Sequence, residues 1–192
     1  MIDTFSANSL KILDKSASLF QMEYVEGIKF IEQNKDAQSG NRLHAIISYC
    51  LKGYDTSKFE SVLDKNEALI FSKLKKSEIL NFAIHSNEKF IEQPFFIKED
   101  LNNKPFYLTG RFDAVIKNGD KYTILDWKTN NIPKNPDSDI QTVVYFEAAK
   151  KLFKTENLDM IYYSLEKEEC AKIQYSGGYL DRIKGIISKI IQ

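Results

Sequence analysis

Asn118-Gly119 sits between two runs in which apolar and polar residues alternate, Pro105 to Lys117 and Lys121 to Trp127. This dipeptide is the strongest short-range signal for a β-hairpin, because both residues tolerate positive φ. A two-stranded hairpin is at best marginal in water, so the rest of the chain must cover it with further strands or helices. The 192 residues suffice for that: one domain is expected on a prior of about 150 residues each, burying about 70% of the unfolded surface.

The hairpin places chemistry as well as backbone. With the turn centred between Asn118 and Gly119, Asp113 faces Ile124, and Asp126 lies one pleat step beyond on the same face. Residues two apart along a strand share a face, so Lys128 projects with Asp126. Two carboxylates and one ammonium therefore form a cluster. Carboxylates beside Ile124 and Leu125 are costly unless paired or metal-bound. Hard oxygen ligands suit magnesium or manganese. An Asp–Lys pair at a strand end also serves as an ordinary surface ion pair contributing little.

The texture of the chain changes near residue 87. Before it, apolar residues recur at helical spacing. Leu10, Leu13, Ala17 and Phe20 form one stripe, with Ser6 or Ser9 as cap. A second helix covers Ala37 to Leu51, with Leu43, Ile46, Ile47 and Cys50 facing inward and Gly53 ending it. A third helical stretch runs from Thr56 to Ile84, broken near Lys76-Ser77. After residue 87 the period shortens. Lys89 to Ile97 reads as a strand whose Pro94 marks an edge or a bulge, and Leu101 to Lys104 is a polar turn. Behind the hairpin come a loop, Asn130 to Ser138, a helix capped by Asp139 and ending near Phe153, a strand from Met160 to Leu165, and a helix from Leu180 to Ile191. This order implies an α/β fold: a central mixed sheet flanked by helices, with a largely helical first half, residues 1–86, and an αβ core over 87–192. The fourth strand reaches the side of the third by a helical crossover. On the crossover helix, Gln141 and Tyr145 are four apart and share a face. A glutamine buried there needs partners, and the acid cluster or a phosphate supplies them; a wet position near the helix start is the alternative.

Lys+Arg and Asp+Glu both number 27, so the formal charge is zero. No global basic field holds nucleic acid, so such binding needs a local patch or metal ions. Lys73, Lys75 and Lys76, and Lys150, Lys151 and Lys154, read as solvated helix faces. The two cysteines, Cys50 and Cys170, are too few for a four-cysteine zinc or iron–sulfur site. A disulfide between them is open, but nothing suggests export, which favours free thiols. The first residues lack the pattern of a signal peptide, and no apolar run is long enough to span a membrane. The expectation is a soluble, cytoplasmic protein.

Asp113, then Asp126-Trp127-Lys128, then Gln141 and Tyr145 resemble the core of the PD-(D/E)XK nuclease superfamily. Within it, GRFDAV, YTILDWKT and DIQTVVYFEAA resemble the RecB-type group, which includes RecB and AddB nuclease domains and CRISPR-associated relatives. Asn41-Arg42-Leu43-His44 after Gly40 resembles that group's helix bearing a metal-facing histidine. Ile91-Glu92-Gln93-Pro94-Phe95 resembles its acidic first core strand. Phe5 to Leu10 resembles the segment that precedes a cysteine in cluster-bearing members; Ser16 stands at that cysteine position, so the iron–sulfur cluster should be missing. The resemblance spans nearly the whole chain. It implies a restriction-endonuclease-like core over 1–192 and metal-dependent hydrolysis of DNA phosphodiesters in repair, recombination or phage-related processing. Asp113, Asp126, His44 and the Trp127 carbonyl would hold one or two Mg or Mn ions. Glu92 would bind a second ion or orient water, Lys128 would orient the nucleophile or stabilise charge on the phosphate, and Gln141 and Tyr145 would position the strand. The expected partner is DNA, together with a helicase or recombination protein in a larger assembly. The competing reading is an inactive nuclease-fold module that binds or scaffolds. His85 carries no such match and reads as structural.

Overall fold

The computed structural model describes residues 2–28 and 35–190. Helices α1 (Ala7–Lys15) and α2 (Ala17–Phe20) follow a two-residue strand, β1 (Thr4–Phe5), and a π-helical turn, Gln21–Val25, extends α2. Both serines near the start act in one cap: the Ser6 side chain accepts from Ser9 N, and the Ser9 side chain accepts from Ser6 N. Ser16 is extended, with φ −160°, and its hydroxyl accepts from Leu19 N to start α2. That break turns the expected stripe: Leu10, Leu13 and Phe20 are buried, whereas Ala17 is exposed.

The long helix α3 (Lys35–Leu51) buries Leu43, Ile46 and Ile47. It ends where Gly53 takes φ +78°. The expected third helical stretch is three helices, α4 (Ser57–Glu60), α5 (Lys65–Leu74) and α6 (Glu78–Ile84). Asp64 and Glu67 make a reciprocal capping box that starts α5, and Ser77 caps α6.

The second half carries β2 (Glu88–Leu101), β3 (Lys104–Asn118) and β4 (Lys121–Lys128), then helix α7 (Ile140–Phe153), β5 (Leu158–Ser164), β6 (Glu169–Gln174) and α8 (Tyr179–Ile187). The expected end of α8 at Ile191 lies outside the described residues. The six strands form one mixed sheet in the order β1-β3-β4-β5-β6, with β2 on the other side of β3. The helix α7 joins β4 to the parallel β5, as the crossover expectation required. Pro94 lies on β2, which among the described residues pairs only with β3, an edge position where proline is tolerated.

Two hydrophobic layers sandwich the sheet. Residues of α1, α7 and α8 pack on one face with Phe106, Leu108, Phe112, Val115 and Ile124. Residues of α3, α5 and α6 pack on the other with Ala114, Ile116, Leu125 and Trp127.

Two corrections to the sequence reading follow from the register. Asn118 pairs with Lys121, so the two turn residues are Gly119 and Asp120. The positive φ, +58°, falls on Gly119. The ladder is displaced by two residues from the expected one: Ala114 opposes Leu125 and Val115 opposes Ile124, so Asp113 does not face Ile124 and lies just beyond the last pair. A shift of two preserves the faces, whereas a shift of one would have inverted them. The expected polar turn is itself a tight hairpin, in which Asn102 and Asn103 take φ +53° and +62° between the paired Leu101 and Lys104. Strand β6 had no sequence signal because only Ile173 along it is buried.

Candidate active site

The candidate residues meet where β3 and β4 separate. On one side of β3, β1 pairs up to Leu108 and β4 pairs from Ala114 onward. Between them, Thr109 to Asp113 has no strand neighbour on that side among the described residues. There the alternation of β3 slips by one residue: Phe112 and Val115 pack on the same layer, and Ala114 packs on the other. Strand β2 slips with it, since Phe90 and Phe95 both face the α7 layer. The slip in β2 falls at Glu92, whose φ is +54°. Pairing is in register on both sides, Ile91 with Ala114 and Gln93 with Phe112. Glu92 and Asp113 thus stand at the same kink of two adjacent strands.

Gly110 makes the kinked segment possible. A Cβ there would meet the Phe95 ring at 2.5 Å. Phe95 lies over the backbone of β3 and packs with Phe112 and Tyr145. Gly40 plays a similar part on α3, where a Cβ would meet the Thr129 hydroxyl at 2.9 Å. The helix therefore comes close to the end of β4.

Asp113 and Asp126 have different environments. Asp113 Oδ2 accepts from the Trp127 backbone N–H at 2.9 Å, and its Oδ1 lies 3.3 Å from His44 Nδ1. Asp126 is only 3% exposed. Its Oδ1 accepts from Gln141 Nε2 at 2.6 Å, and Gln141 Oε1 accepts from Lys128 Nζ at 2.8 Å. Lys128 Nζ also lies 2.7 Å from Asp126 Oδ2, an ion pair. That contact lacks hydrogen-bond geometry, so Oδ2 is a buried oxygen without a hydrogen-bond donor. Lys128 sits over the Tyr162 ring at 5.3 Å.

Burial pushes the Asp126 carboxyl up to about 6; Lys128 opposes this and the Asp113 charge adds to it. Burial disfavours charge on His44, but its contact with Asp113 and the charges of Asp113 and Asp126 outweigh that and raise its pKa. Tyr145 is raised strongly by burial and then by the two aspartates, which keeps its hydroxyl a neutral donor. That hydroxyl donates to the Arg111 carbonyl at 2.9 Å, so Tyr145 is tied to the kinked backbone of β3.

Glu92 is paired with Arg111 Nε at 2.8 Å. Both residues wall a 650 Å³ cavity with Asn41, His44, Tyr49 and Thr129. A 300 Å³ cavity is lined by Ser6, Asn8, Thr109, Lys128, Gln141 and Tyr145. Since His44 contacts Asp113, and Lys128 and Gln141 contact Asp126, the two acids lie between residues of both cavities. Arg111 and Asn41 belong to this wall and were not singled out in the sequence, although both lie inside the matched strings. Their exposure gives no periodic signal. His85 is remote in role: its Nδ1 meets the Asn81 carbonyl at the end of α6.

The expected lysine clusters are largely ion-paired: Lys73 with Glu168, Lys75 with Glu60, Lys150 with Glu156 and Lys151 with Glu99. Cys50 and Cys170 are free thiols. Among the described residues, no helix is long and apolar enough to cross a membrane.

Among the described residues, no group of three or more His, Cys, Asp and Glu side chains is arranged to hold a metal ion. The donor set nevertheless suits magnesium, which is commonly held by one or two carboxylates with water and substrate phosphate completing the shell. Asp113 and Asp126 supply two such carboxylates, with Asp126 Oδ2 held only by its ion pair to Lys128.

A family model of the PD-(D/E)XK nuclease superfamily matches residues 4–191. The crystal structure of SSO0001 is similar in fold, with a TM-score of 0.59 at 17% identity, covering 100% of this chain and 76% of that one. No curated protein matches the sequence significantly. The mixed six-stranded sheet with helices on both faces agrees with a restriction-endonuclease-like architecture. With nearly its whole length matched, the chain belongs to the PD-(D/E)XK nuclease superfamily.

Proposed function

We propose that this protein is a divalent-metal-dependent deoxyribonuclease of the RecB-type group, folded as one domain over 1–192 and without an iron–sulfur cluster. The observation that carries the reading is the linked set Asp113, Asp126, Gln141 and Lys128 at the point where β3 and β4 part. Asp113, Asp126 and the Trp127 carbonyl would hold the magnesium or manganese ion, with His44 as the nitrogen donor nearest Asp113. When bound, the ion polarises the phosphoryl oxygen and lowers the pKa of its water.

The chain's own residues do the rest. Lys128, held between Asp126 and Gln141, presents its ammonium where negative charge develops on the phosphate or where the attacking water must be oriented. Gln141 fixes both the acid and the lysine, and Tyr145 holds the β3 backbone through the Arg111 carbonyl. Glu92, paired with Arg111 at the cavity wall, is the base of a second ion site or a water-orienting group. A helicase or recombination protein would deliver the DNA in repair, recombination or phage-related processing.

The test is cleavage of labelled single- and double-stranded DNA with magnesium or manganese, by the wild type and by Asp126→Ala and Lys128→Ala. Cleavage undiminished in both variants would sink the assignment. A second reading, a nuclease-fold module that binds without turnover, is favoured by the absence of a three-ligand cluster among the described residues. Manganese calorimetry separates the two: a binding-only module shows no site that depends on Asp113.

A further inference from the structure

We propose that Tyr49, Tyr54 and Phe59 form a base-stacking platform at the edge of the active-site cavity, through which the protein engages DNA as a single strand. The inference rests on the nuclease reading above and names the form of its substrate.

The geometry begins on α3. Asn41, His44, Ala45 and Ser48 recur at helical spacing along the cavity wall, and Tyr49 closes that stripe. At 1.5 Å rise per residue, Tyr49 lies about 7.5 Å along the helix axis from His44. The chain then reverses at Gly53, and Tyr54 N–H donates to the Tyr49 carbonyl at 3.1 Å. This brings the Tyr54 ring to 5.5 Å from Tyr49, and α4 brings the Phe59 ring to 4.5 Å. The three rings form a contiguous group, yet they are 38%, 60% and 39% exposed.

Exposed rings at a cavity edge suit a partner that offers flat π-faces. Bases of a single strand stack on aromatic side chains without regard to sequence, whereas bases within a duplex are already stacked on one another. The charge balance points the same way. With equal numbers of basic and acidic residues, the protein lacks the field that draws phosphates in most nucleic-acid binders, and stacking supplies affinity that does not require it. Arg111, on the same cavity wall and 66% exposed in its side chain, is placed to meet the backbone.

The experiment uses the full chain in EDTA, so that no hydrolysis intervenes. Fluorescence anisotropy measures binding of a labelled oligothymidine and of an abasic oligomer of equal length. The wild type should prefer the oligomer with bases by roughly tenfold or more. Tyr54→Ser, at the most exposed ring, and Tyr49→Leu should each lose most of that preference while keeping the wild-type circular dichroism. Equal affinity of the wild type for both oligomers would overturn the proposal. So would a dimer in sedimentation that Tyr54→Ser dissolves, because the platform would then belong to a second copy of the chain. Base preference is read without metal, so failure of metal-dependent cleavage would count against the nuclease reading alone.

Discussion

Asp113 accepts a hydrogen bond from the backbone N–H of Trp127 at 2.9 Å, and so takes the place of the β3 backbone where the ladder to β4 has stopped. The last paired residues are Ala114 and Leu125. Beyond them the strands diverge, and a backbone donor left unpaired in a buried setting is costly. The Asp113 carboxylate satisfies it and is thereby locked next to Asp126. One interaction closes the end of the hairpin and orients the first acid.

Asp126 supplies a pH prediction. Its carboxyl ordinarily loses its proton near 3.8 but holds it to about 6 in the fold. The folded state binds the proton more tightly, so this stabilisation is complete below the lower value and is lost as pH rises through the upper one. His44, also raised, has the same sign. Urea denaturation of the metal-free protein should show stability falling from about pH 4 to 6 by up to about 3 kcal/mol. Asp126→Asn should lack most of that fall. A pH-independent difference between the two proteins would contradict the assignment. Saturating magnesium should oppose the fall, because the ion competes with the proton for the ionised carboxylate.

Lys128→Met keeps a side chain of similar length and removes the ammonium that lies over the Tyr162 ring. Cleavage should drop by about 10²–10³-fold, the scale for losing one preorganised stabiliser of transition-state charge. Single-turnover kinetics on labelled DNA is the measurement, and a loss under about threefold would exclude a role for the ammonium in the chemical step.

Gln141→Ala leaves Asp126 Oδ1 without its amide donor and Lys128 without its acceptor. Residues that orient ligands from behind typically cost 10–100-fold in metal affinity or activity when removed. A magnesium titration of activity should therefore show a right-shifted midpoint or a lower plateau on that scale. Unchanged titration curves would mean that Gln141 serves only the packing of α7.

Gly110→Ala drives a methyl into the Phe95 ring, 2.5 Å away. Overpacking of this kind costs typically about 1–3 kcal/mol. Phe95→Leu in the same chain should recover part of it by making room. Thermal melts of the two single variants and the double variant give the coupling; strict additivity would show that Gly110 is required for some other reason.

The amino-acid sequence by itself determined the order of the longer elements, though not the short strands β1 and β6, together with most helix starts and the residue types of the site. These are local matters. Ser6, Asp64, Ser77 and Asp139 cap helices through bonds to residues two or three positions on, and Gly119 and the Asn102-Asn103 pair accept positive φ on their own. The faces of Ala114 to Asn118 were legible because a two-residue error in the turn preserves side-chain parity, but the slip at Asp113 takes that acid out of the expected alternation. Tertiary structure decided the rest. The slip of alternation at Glu92 and Asp113, the end of the β3–β4 ladder at Ala114 and the bridge from Gln141 to both Asp126 and Lys128 arise only when β1, β4 and α7 are assembled around β3. Short edge strands such as β6, with one buried side chain, leave no periodic trace because their pairing energy lies in backbone bonds common to every residue. The approach of His44 to Asp113 likewise depends on Gly40, whose bare Cα lets α3 close on Thr129, a contact between positions far apart in the chain.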